Sequence, residues 1–554
     1  MRRALVFLTM MFVVSGCATD QPESSADLIL IGGHILTQTD TSAPTALALR
    51  GGEILSVGTD DQVLLAKGPD TKVVNLNGAT VIPGLVDSHC HLYGLGKSLA
   101  QIDLMGTESL DQILEVVARD ATSFALDAWI EGRGWDQNDW EIKEYPHRRM
   151  LDNIIGDRPV FLRRIDGHAA WGNSEALRLA GITADTPDPA GGEILRDEQG
   201  EPTGILIDNA VDLVVEVIPE VGPEETRRRI RMAIDHCVAH GLTGVHEAGV
   251  SWERARIYRD LAEKDELDLR VYAMYADRPA TLEKALAAGP LFTDDGMLTI
   301  RAIKLYSDGA LGSRGALLLD DYTDQPGHRG LSVTPAEHMR EVMLKGGRAG
   351  FQICTHAIGD GANHLVLDLY EEVLGELKLE DARWRVEHAQ ILAPEDIPRF
   401  GQLGVIAAMQ PVHCTSDMDW ADERLGEKRL AGCYAWRSLL DSGAHLCYGT
   451  DFPVEKVDPL AGLYSAITRT HPDGTPIGGW QPQEAVDAAT ALELYTAGSA
   501  WAGFQEEKWG RIDAGYQADL TVLDGNPVTC KPADLLKMKV KMTIVAGRIV
   551  YENP

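Results

Sequence analysis

Apolar and polar positions alternate along this chain in two different ways, which divide it into regions. In the middle, short apolar runs such as "LRVYAMYA" (269–276) and "FQICTHAIGD" (351–360) alternate with amphipathic stretches of helical spacing. This pattern is typical of parallel βα units. Eight such runs occur, which is the number of strands in a (β/α)8 barrel. The sequence therefore predicts an α/β protein with a TIM-type barrel.

The first two of these runs, "TVIPGLVDSHCH" (80–91) and "GLTGVHE" (241–247), are much farther apart than the others. An inserted subdomain is therefore predicted after the first barrel strand, at about 125–220. Within it, "GGEILRDEQGEPTGILID" is interpreted as a β-hairpin, because turn residues separate two alternating runs. The barrel with its insertion is expected to occupy residues 83–507.

Short β-rich segments occupy both ends of the chain, among them "ADLILIGGHILTQ" near the start and "VKMTIVAGRIVYE" near the end. Alternating short runs separated by turn glycines are typical of strands. The two blocks are similar in character and bracket the barrel. They are predicted to form one small β-sandwich domain from residues 27–82 and 508–554.

The first residues have two arginines followed by a short apolar core, "RRALVFLTMMFVVSGC". This core is too short to span a bilayer, so residues 1–17 are predicted to be a secretory signal peptide. The ending "VSGC" resembles the lipobox of bacterial lipoproteins, which implies a lipidated Cys17 followed by a tether at 18–26. Ala18 after that cysteine favours, in that family, the outer membrane of a Gram-negative cell, facing the periplasm. An ordinary cleaved signal peptide is the alternative.

Composition narrows the range of partners. The 554 residues carry a formal net charge of −33. Nucleic-acid binding needs basic surface, so no nucleic-acid partner is expected, and membrane contact is expected only through the lipidated N-terminus. The eight cysteines include no C-x-x-C pair, which indicates neither a disulfide framework nor a cysteine zinc site. The oligomeric state is left open, with a homodimer among the options.

Two histidines end the first barrel run, in "GLVDSHCH". His89 and His91 stand at i and i+2 and therefore face the same side of a strand. Alone, such a pair is a weak signal, since two polar residues at a strand end are a simpler explanation. The carboxyl ends of barrel strands meet at one mouth, however, and the other ends add further groups of this kind: Lys304, His356, His388 and Asp451. Their convergence predicts a metal centre.

Motifs spread over most of the chain resemble the amidohydrolase superfamily and, within it, the YtcJ-like and N-substituted formamide deformylase branch. The resemblance runs from about 26 to 553 and rests on "PGLVDSHCH", "GHAAWGNSEALRLAGI", "IKLYSDGALGSRGA", "THAIGD", "RVEHAQ", "GTDFPVE" and "GYQADLTVLDGNP". It implies a metal-dependent hydrolase with a flanking β-sandwich. The implied metal ligands are His89, His91, His356, His388 and Asp451. Lys304 matches the position at which related enzymes carry a carboxylated lysine between two metals.

The chemistry of Lys304 leaves two arrangements open. A free ammonium repels a divalent cation, whereas carboxylation by CO₂ makes the side chain an anionic ligand. In the favoured arrangement it bridges two metals, and the other ligands divide into His89, His91 and Asp451 on one ion and His356 and His388 on the other. In the alternative, one metal binds the histidines, and an unmodified Lys304 pairs with Asp308 or binds substrate. Zinc suits imidazole ligands best, with manganese, cobalt and iron as alternatives.

These groups predict hydrolysis by a metal-activated hydroxide, because a bound metal lowers the pKa of water toward about 7. Asp451 is expected to accept the proton of the attacking water and to deliver it to the leaving nitrogen, with Lys304 as the second catalytic residue. The expected substrate is a small-molecule amide, such as an N-substituted formamide, an N-acyl amino acid or a short peptide. The alternatives are a cyclic amidase, a heterocycle deaminase, and a metal-loaded binding lipoprotein without activity.

Substrate contacts are less clearly marked. His413, at the end of the seventh strand, is predicted to face the mouth and bind a substrate carbonyl, with a hydrogen-bonded loop histidine as the alternative. His168 in the insertion is a second candidate. Arg314, after the fourth strand, can hold a carboxylate, although a structural ion pair is the simpler interpretation. The tryptophans concentrated in the insertion form either an apolar lid or that subdomain's core, namely Trp135, Trp140 and Trp171.

Overall fold

The computed structural model describes residues 25–37, 43–125, 128–137, 140–164, 169–189, 192–219 and 221–553. Its strands, in chain order, are β1 (Ala26–Ile31), β2 (His34–Ile35), β3 (Ala46–Arg50), β4 (Glu53–Gly58), β5 (Lys67–Asn75), β6 (Thr80–Pro83), β7 (Leu85–Cys90), β8 (Ile102–Asp103), β9 (Ile130–Trp135), β10 (Val160–Arg164), β11 (Ala169–Gly172), β12 (Gly192–Arg196), β13 (Pro202–Asp208), β14 (Leu242–Val250), β15 (Arg270–Ala276), β16 (Leu291–Phe292), β17 (Leu298–Tyr306), β18 (Gln352–Ala357), β19 (Arg385–His388), β20 (Ile406–Met409), β21 (His445–Tyr448), β22 (Leu520–Leu523), β23 (Val540–Val545) and β24 (Arg548–Glu552).

Its α-helices, in chain order, are α1 (Asp60–Val63), α2 (Leu92–Leu99), α3 (Leu110–Asp120), α4 (Arg148–Ile155), α5 (Ser174–Leu179), α6 (Asp212–Val215), α7 (Pro223–Ala239), α8 (Trp252–Glu263), α9 (Pro279–Ala288), α10 (Ala336–Arg348), α11 (Asp360–Leu377), α12 (Ile397–Leu403), α13 (Pro411–Asp417), α14 (Ala421–Leu425), α15 (Trp436–Asp441), α16 (Pro459–Thr468), α17 (Ala488–Leu494), α18 (Ala497–Ala502) and α19 (Pro532–Leu535). In the described part of the chain, none of them is long and apolar enough to cross a membrane.

Eight parallel strands form the predicted barrel, in the order β7, β14, β15, β17, β18, β19, β20 and β21. Each coincides with one of the apolar runs in the sequence. The runs are apolar because these strands are buried both inside the barrel and beneath the surrounding helices. Strand β7, for example, is buried along its whole length. The expected TIM-type α/β fold is confirmed.

The first and last barrel strands meet at a seam that polar contacts close. The backbone N–H and the hydroxyl of Thr450 both donate to the carboxylate of Asp87, at 3.1 and 2.6 Å. One residue farther on, the N–H of Asp451 donates to the carbonyl oxygen of His89 at 2.8 Å. These bonds fix the ends of β7 and β21, the strands that lead into the predicted ligands, against each other.

A six-stranded sheet, in the order β12-β13-β11-β10-β9-β8, lies in the chain between the first two barrel strands. Strands β12 and β13 pair antiparallel as the predicted hairpin. Trp135 and Trp171 are fully buried, and Trp140 is 4% exposed, in the same apolar cluster beside the sheet. Their burial favours core packing over an apolar lid.

Two further sheets come from the chain ends, in the orders β4-β3-β1-β5 and β2-β6-β22-β23-β24. They share an apolar core that includes Leu28, Leu49, Val81 and Ile544, which gives the sandwich predicted next to the barrel. The second sheet donates side-chain hydrogen bonds to the barrel domain, from Thr521 to the carbonyl oxygen of Gly241 at 2.7 Å and from Thr543 to that of Val238 at 2.7 Å.

Candidate metal centre

His89 and His91 lie at the carboxyl end of β7, and each ring is oriented through Nδ1. In His89 this nitrogen contacts the carboxylate of Glu387, and in His91 it lies 3.0 Å from the carbonyl oxygen of Ala248. Because a carbonyl oxygen only accepts, Nδ1 of His91 carries the proton, and Nε2 of the neutral ring keeps its lone pair. The Nε2 atoms lie near Asp451 Oδ1, at 3.7 Å for His89 and 3.2 Å for His91.

His356 and His388 come from β18 and β19 and meet edge to face, with ring centroids 4.5 Å apart and an interplanar angle of 68°. The ring of His388 also lies 4.7 Å from that of His89. Its Nδ1 bonds to Gln410 Oε1 at 2.8 Å, which leaves Nε2 free to bind a metal. The three imidazoles from strands one, five and six therefore converge at the barrel mouth, as their strand positions predict.

Lys304, on β17, is buried between these groups. Its Nζ lies 3.4 Å from His89 Nε2 and 5.2 Å from the centroid of the Tyr306 ring. Burial lowers the pKa of Lys304 to about 8. Among the described residues, Lys304 forms no ion pair. Asp308, the partner considered from the sequence, instead accepts backbone N–H groups from Ile358 at 3.0 Å and Gly359 at 2.9 Å.

Two of the converging residues have unusual backbone conformations. His388 has a φ of 77° and Asp451 a φ of 61°, in the left-handed region that non-glycine residues rarely adopt. Such conformations cost on the order of 1–3 kcal/mol each and cluster at functional sites, where the surrounding structure enforces them. The turn at His388 follows directly after Glu387 and directs the imidazole toward the mouth.

Asp451 and His413 form a charged pair at the centre of the mouth. Nε2 of His413 lies 3.3 Å from Asp451 Oδ2, and its Nδ1 lies 3.3 Å from Glu455 Oε1. Burial opposes protonation of His413, but its bonds to the two carboxylates outweigh burial and raise its pKa to about 10. Burial alone would raise the pKa of Asp451, yet the hydrogen bond from His413 holds it well below its ordinary value.

The donors fit a divalent metal. Within the described structure, Asp451 Oδ1 is buried without a hydrogen-bond partner, although it faces Nε2 of His91. Two acceptors at this distance need a proton or a cation between them. Donor atoms of His89, His91 and Asp451 lie within 4.8 Å of one another, as do those of His388, His413 and Asp451. Imidazole nitrogens with a carboxylate oxygen are ligands typical of zinc.

The remaining sequence candidates lie elsewhere. Arg314 pairs with Asp324 at 2.7 Å in a partly exposed ion pair, which favours the structural interpretation of that residue. His168, proposed as a substrate contact, and Cys17, proposed as the lipidation site, lie outside the described residues.

Several residues that contact the candidate ligands were missed from the sequence, above all Glu387, Gln410 and Glu455. Strand alternation assigns Glu387 and His388 to opposite faces, so an inward His388 implies an outward Glu387. The positive φ of His388 breaks this alternation. One signal was present, because "RVEH" places an arginine and a glutamate two residues apart in a strand expected to be buried.

A likeness to a solved structure identifies the class of protein. An uncharacterised metal-dependent hydrolase from Pyrococcus furiosus is 30% identical and superimposes with a TM-score of 0.76, covering 91% of this chain and 100% of that one. With a histidine-rich site at the mouth of an α/β barrel, this defines a metal-dependent hydrolase.

The family follows from sequence comparison. The profile of the amidohydrolase family matches residues 72–551, and the chain belongs to that family. It is 36% identical to YtcJ of Bacillus subtilis over 94% of this chain and 99% of that protein. It is 28% identical to N-substituted formamide deformylase of Arthrobacter pascens over 95% and 98%. The family predicted from the motifs is confirmed.

Proposed function

We propose that this hydrolase cleaves the amide C–N bond of a small molecule, such as an N-substituted formamide, an N-acyl amino acid or a short peptide. The observation that carries the proposal is the Asp451 carboxylate, which is buried among histidines and has one oxygen without a hydrogen bond to a described residue. The name of the Arthrobacter relative, similar along nearly the whole chain, supports an amide as substrate.

A divalent metal held by His89, His91, His356, His388 and Asp451 would supply Lewis acidity, which polarises a carbonyl and lowers the pKa of water. Asp451 acts as the proton carrier: its carboxylate takes a proton from the attacking water and returns it to the leaving nitrogen. The hydrogen bond from His413 keeps Asp451 ionised, so the carboxylate is available as the acceptor. Nε2–H of His413, which contacts Asp451 at 3.3 Å, would exchange that contact for a hydrogen bond to the substrate carbonyl oxygen, while Nδ1 stays on Glu455.

The test of this proposal is a hydrolysis screen of the metal-loaded protein over formamides, N-acyl amino acids, dipeptides and lactams. We expect Asp451→Asn to lower kcat about 100- to 10,000-fold, because the amide cannot accept the proton. Asp61→Asn, at an exposed residue of the sandwich, is the matched control and should leave kcat unchanged. If none of these compounds yields an amine or acid, the amide proposal is wrong, and ammonia released from a heterocycle would indicate a deaminase.

We also propose that carboxylated Lys304 bridges two metals. Its burial, its position 3.4 Å from His89 Nε2 and its pKa of about 8 support carboxylation, because the neutral fraction of the amine that can react with CO₂ is larger than in an exposed lysine. Elemental analysis of protein loaded with zinc and bicarbonate should then give two metals per chain, with fewer in Lys304→Ala. Protein prepared with ¹³C-bicarbonate should show a carbamate carbon signal. One metal in both proteins and no carbamate signal would support the alternative site with an unmodified lysine.

The N-terminal sequence carries a separate proposal, that the protein is exported and anchored through lipidated Cys17 to the outer membrane. Labelled palmitate should be incorporated into the wild-type protein and not into Cys17→Ala, which should appear in the soluble periplasmic fraction. Soluble wild-type protein that carries no label would indicate an ordinary cleaved signal peptide.

A further inference from the structure

A fully buried ion pair crosses the barrel interior next to the candidate metal centre. Arg385 and Glu387, both on β19, are 0% exposed, and Arg385 Nε lies 2.7 Å from Glu387 Oε1. The same guanidinium donates to the carbonyl oxygen of Ser88 at 2.6 Å and contacts Nδ1 of His246 at 2.8 Å. The arginine therefore connects β19, the sixth barrel strand, to β7 and β14, the first and second barrel strands, through the interior of the barrel.

The pair is not explained by stability alone. Two charges in a barrel interior lose their hydration, and replacing such a pair by apolar residues is often neutral or stabilising. Apolar side chains such as Cys354 and Ile406 stand beside Arg385 on the neighbouring strands, so an ionic pair at this position calls for a role. A second contact of the carboxylate indicates that role: Oε2 of Glu387 accepts a hydrogen bond from Arg385 Nη2 at 3.0 Å and also contacts Nδ1 of His89.

This contact distinguishes His89 from the neighbouring candidate ligands. Nδ1 of His91 meets a neutral carbonyl oxygen, that of Ala248, and Nδ1 of His388 meets the neutral amide of Gln410. His89 alone among these three has a carboxylate at Nδ1. A carboxylate that accepts Nδ1–H fixes the ring orientation and tautomer and makes Nε2 a more basic ligand.

We propose that Glu387 is a positioning residue of the metal centre: held in place by Arg385, it fixes His89 with Nε2 directed toward the metal and strengthens that nitrogen as a ligand. Arg385 acts indirectly, through Glu387. Its guanidinium binds the Glu387 carboxylate, and its contacts with Ser88 and His246 hold the guanidinium in place. The inference rests on the metal-binding part of the proposed function and is independent of the substrate.

The experiment measures zinc affinity by competition with a chromophoric chelator, using the full chain after metal removal. Glu387→Gln keeps the shape of the side chain but loses the charge, and we expect it to weaken zinc binding about 10- to 100-fold. The matched control is Glu484→Gln, another buried glutamate, which accepts hydrogen bonds from the N–H and hydroxyl of Ser438 and contacts no candidate ligand. The control should bind zinc as the wild type does, even if its thermal stability falls.

A second variant covers the case in which Glu387→Gln fails to fold. Arg385→Lys keeps the positive charge but loses the forked donors, so we expect the carboxylate to be held less firmly and zinc to bind more weakly than in the wild type. In cobalt-loaded protein, both variants should also shift the visible absorption bands, which report ligand geometry, while the control should not.

Wild-type zinc affinity and cobalt spectra in Glu387→Gln, or in Arg385→Lys if only that variant folds, would overturn the inference. It would also be overturned if the control weakened zinc binding equally, since burial alone would then account for the effect. A wild-type protein that binds no zinc would instead contradict the proposed function. Tight zinc binding without hydrolysis of any amide would leave the role of Glu387 standing and reject only the substrate class.

Discussion

Three candidate histidine ligands have a partner at Nδ1, namely His89, His91 and His388. In each of them this contact orients the ring and leaves Nε2 directed into the barrel mouth. For His388 the partner is Gln410, whose amide nitrogen in turn donates to the carbonyl oxygen of Ala408 at 3.1 Å. The amide orientation is thereby fixed, with its oxygen toward the imidazole. This matters for His388 in particular, since its backbone turn directs the imidazole toward the mouth but does not fix which ring nitrogen faces the metal.

Replacing Gln410 by methionine tests this orienting bond. Gln410→Met has a similar volume but no acceptor for Nδ1–H, so the His388 ring loses its fixed tautomer and orientation. We expect zinc affinity to fall about 10-fold or more, measured by chelator competition. Gln199→Met, in the exposed hairpin turn, is the matched control and should bind zinc normally. Unchanged affinity in Gln410→Met would show that packing alone orients the ring.

At this scale the sequence predicts the ligands better than their partners. Histidine and aspartate at strand ends converge because the barrel topology brings those ends together. Glu387 was missed because its direction depends on the backbone turn at His388, which no residue pattern reveals. Gln410 and Glu455 belong to loops or strand ends whose path only the folded chain determines.

At the scale of elements, the seam between β7 and β21 sets the position of Asp451 relative to His89. The buried Asp87 carboxylate accepts hydrogen bonds from the backbone and hydroxyl of Thr450 and from the N–H of His89, at 3.2 Å. One carboxylate thus joins the two strands that carry ligands at their ends. The apolar runs predict both strands but not this junction. In the sequence Asp87 is only a polar residue at the end of an apolar run, and nothing there indicates that Thr450 is its partner.

Thr450→Val tests the junction, because it keeps the side-chain shape and removes the hydroxyl donor. A buried carboxylate that loses one hydrogen bond should destabilise the fold by about 1–3 kcal/mol. The thermal midpoint should therefore fall, and zinc affinity should fall with it as the strand ends move apart. Thr529→Val, at an exposed loop residue, is the control and should change neither quantity. A normal midpoint in Thr450→Val would mean that the backbone bonds suffice to close the seam.

At the scale of the whole molecule, the sandwich lies against the end of the barrel opposite the candidate metal centre. Arg270, the first residue of β15, donates to the carboxylate of Asp519 through Nε at 2.5 Å and Nη2 at 3.1 Å. Both residues are buried, at 6% and 5% exposure. The matching β patterns of the two chain ends predict that these ends form one domain, but they contain no information about which barrel end it covers. That depends on pairings between distant residues such as this one.

Arg270→Met should loosen this contact, because it leaves the Asp519 charge buried without its partner. Removing one member of a buried ion pair typically costs about 3–5 kcal/mol, whereas replacing both with apolar residues is often neutral. We therefore expect a lower thermal midpoint and faster proteolysis for Arg270→Met, with much of the loss recovered in the double variant Arg270→Met, Asp519→Leu. Arg340→Met, at a surface ion pair, should change little.

Metal content separates this effect from damage to the site. Arg270 lies at the amino end of β15, whereas the candidate ligands lie at or beyond the carboxyl ends of their strands, so folded Arg270→Met protein should hold as much zinc as the wild type. Loss of zinc in proportion to the loss of stability would instead mean that the sandwich supports the mouth through the whole length of the barrel. Because the double variant restores packing without restoring charge, its zinc content distinguishes mechanical support from electrostatic support.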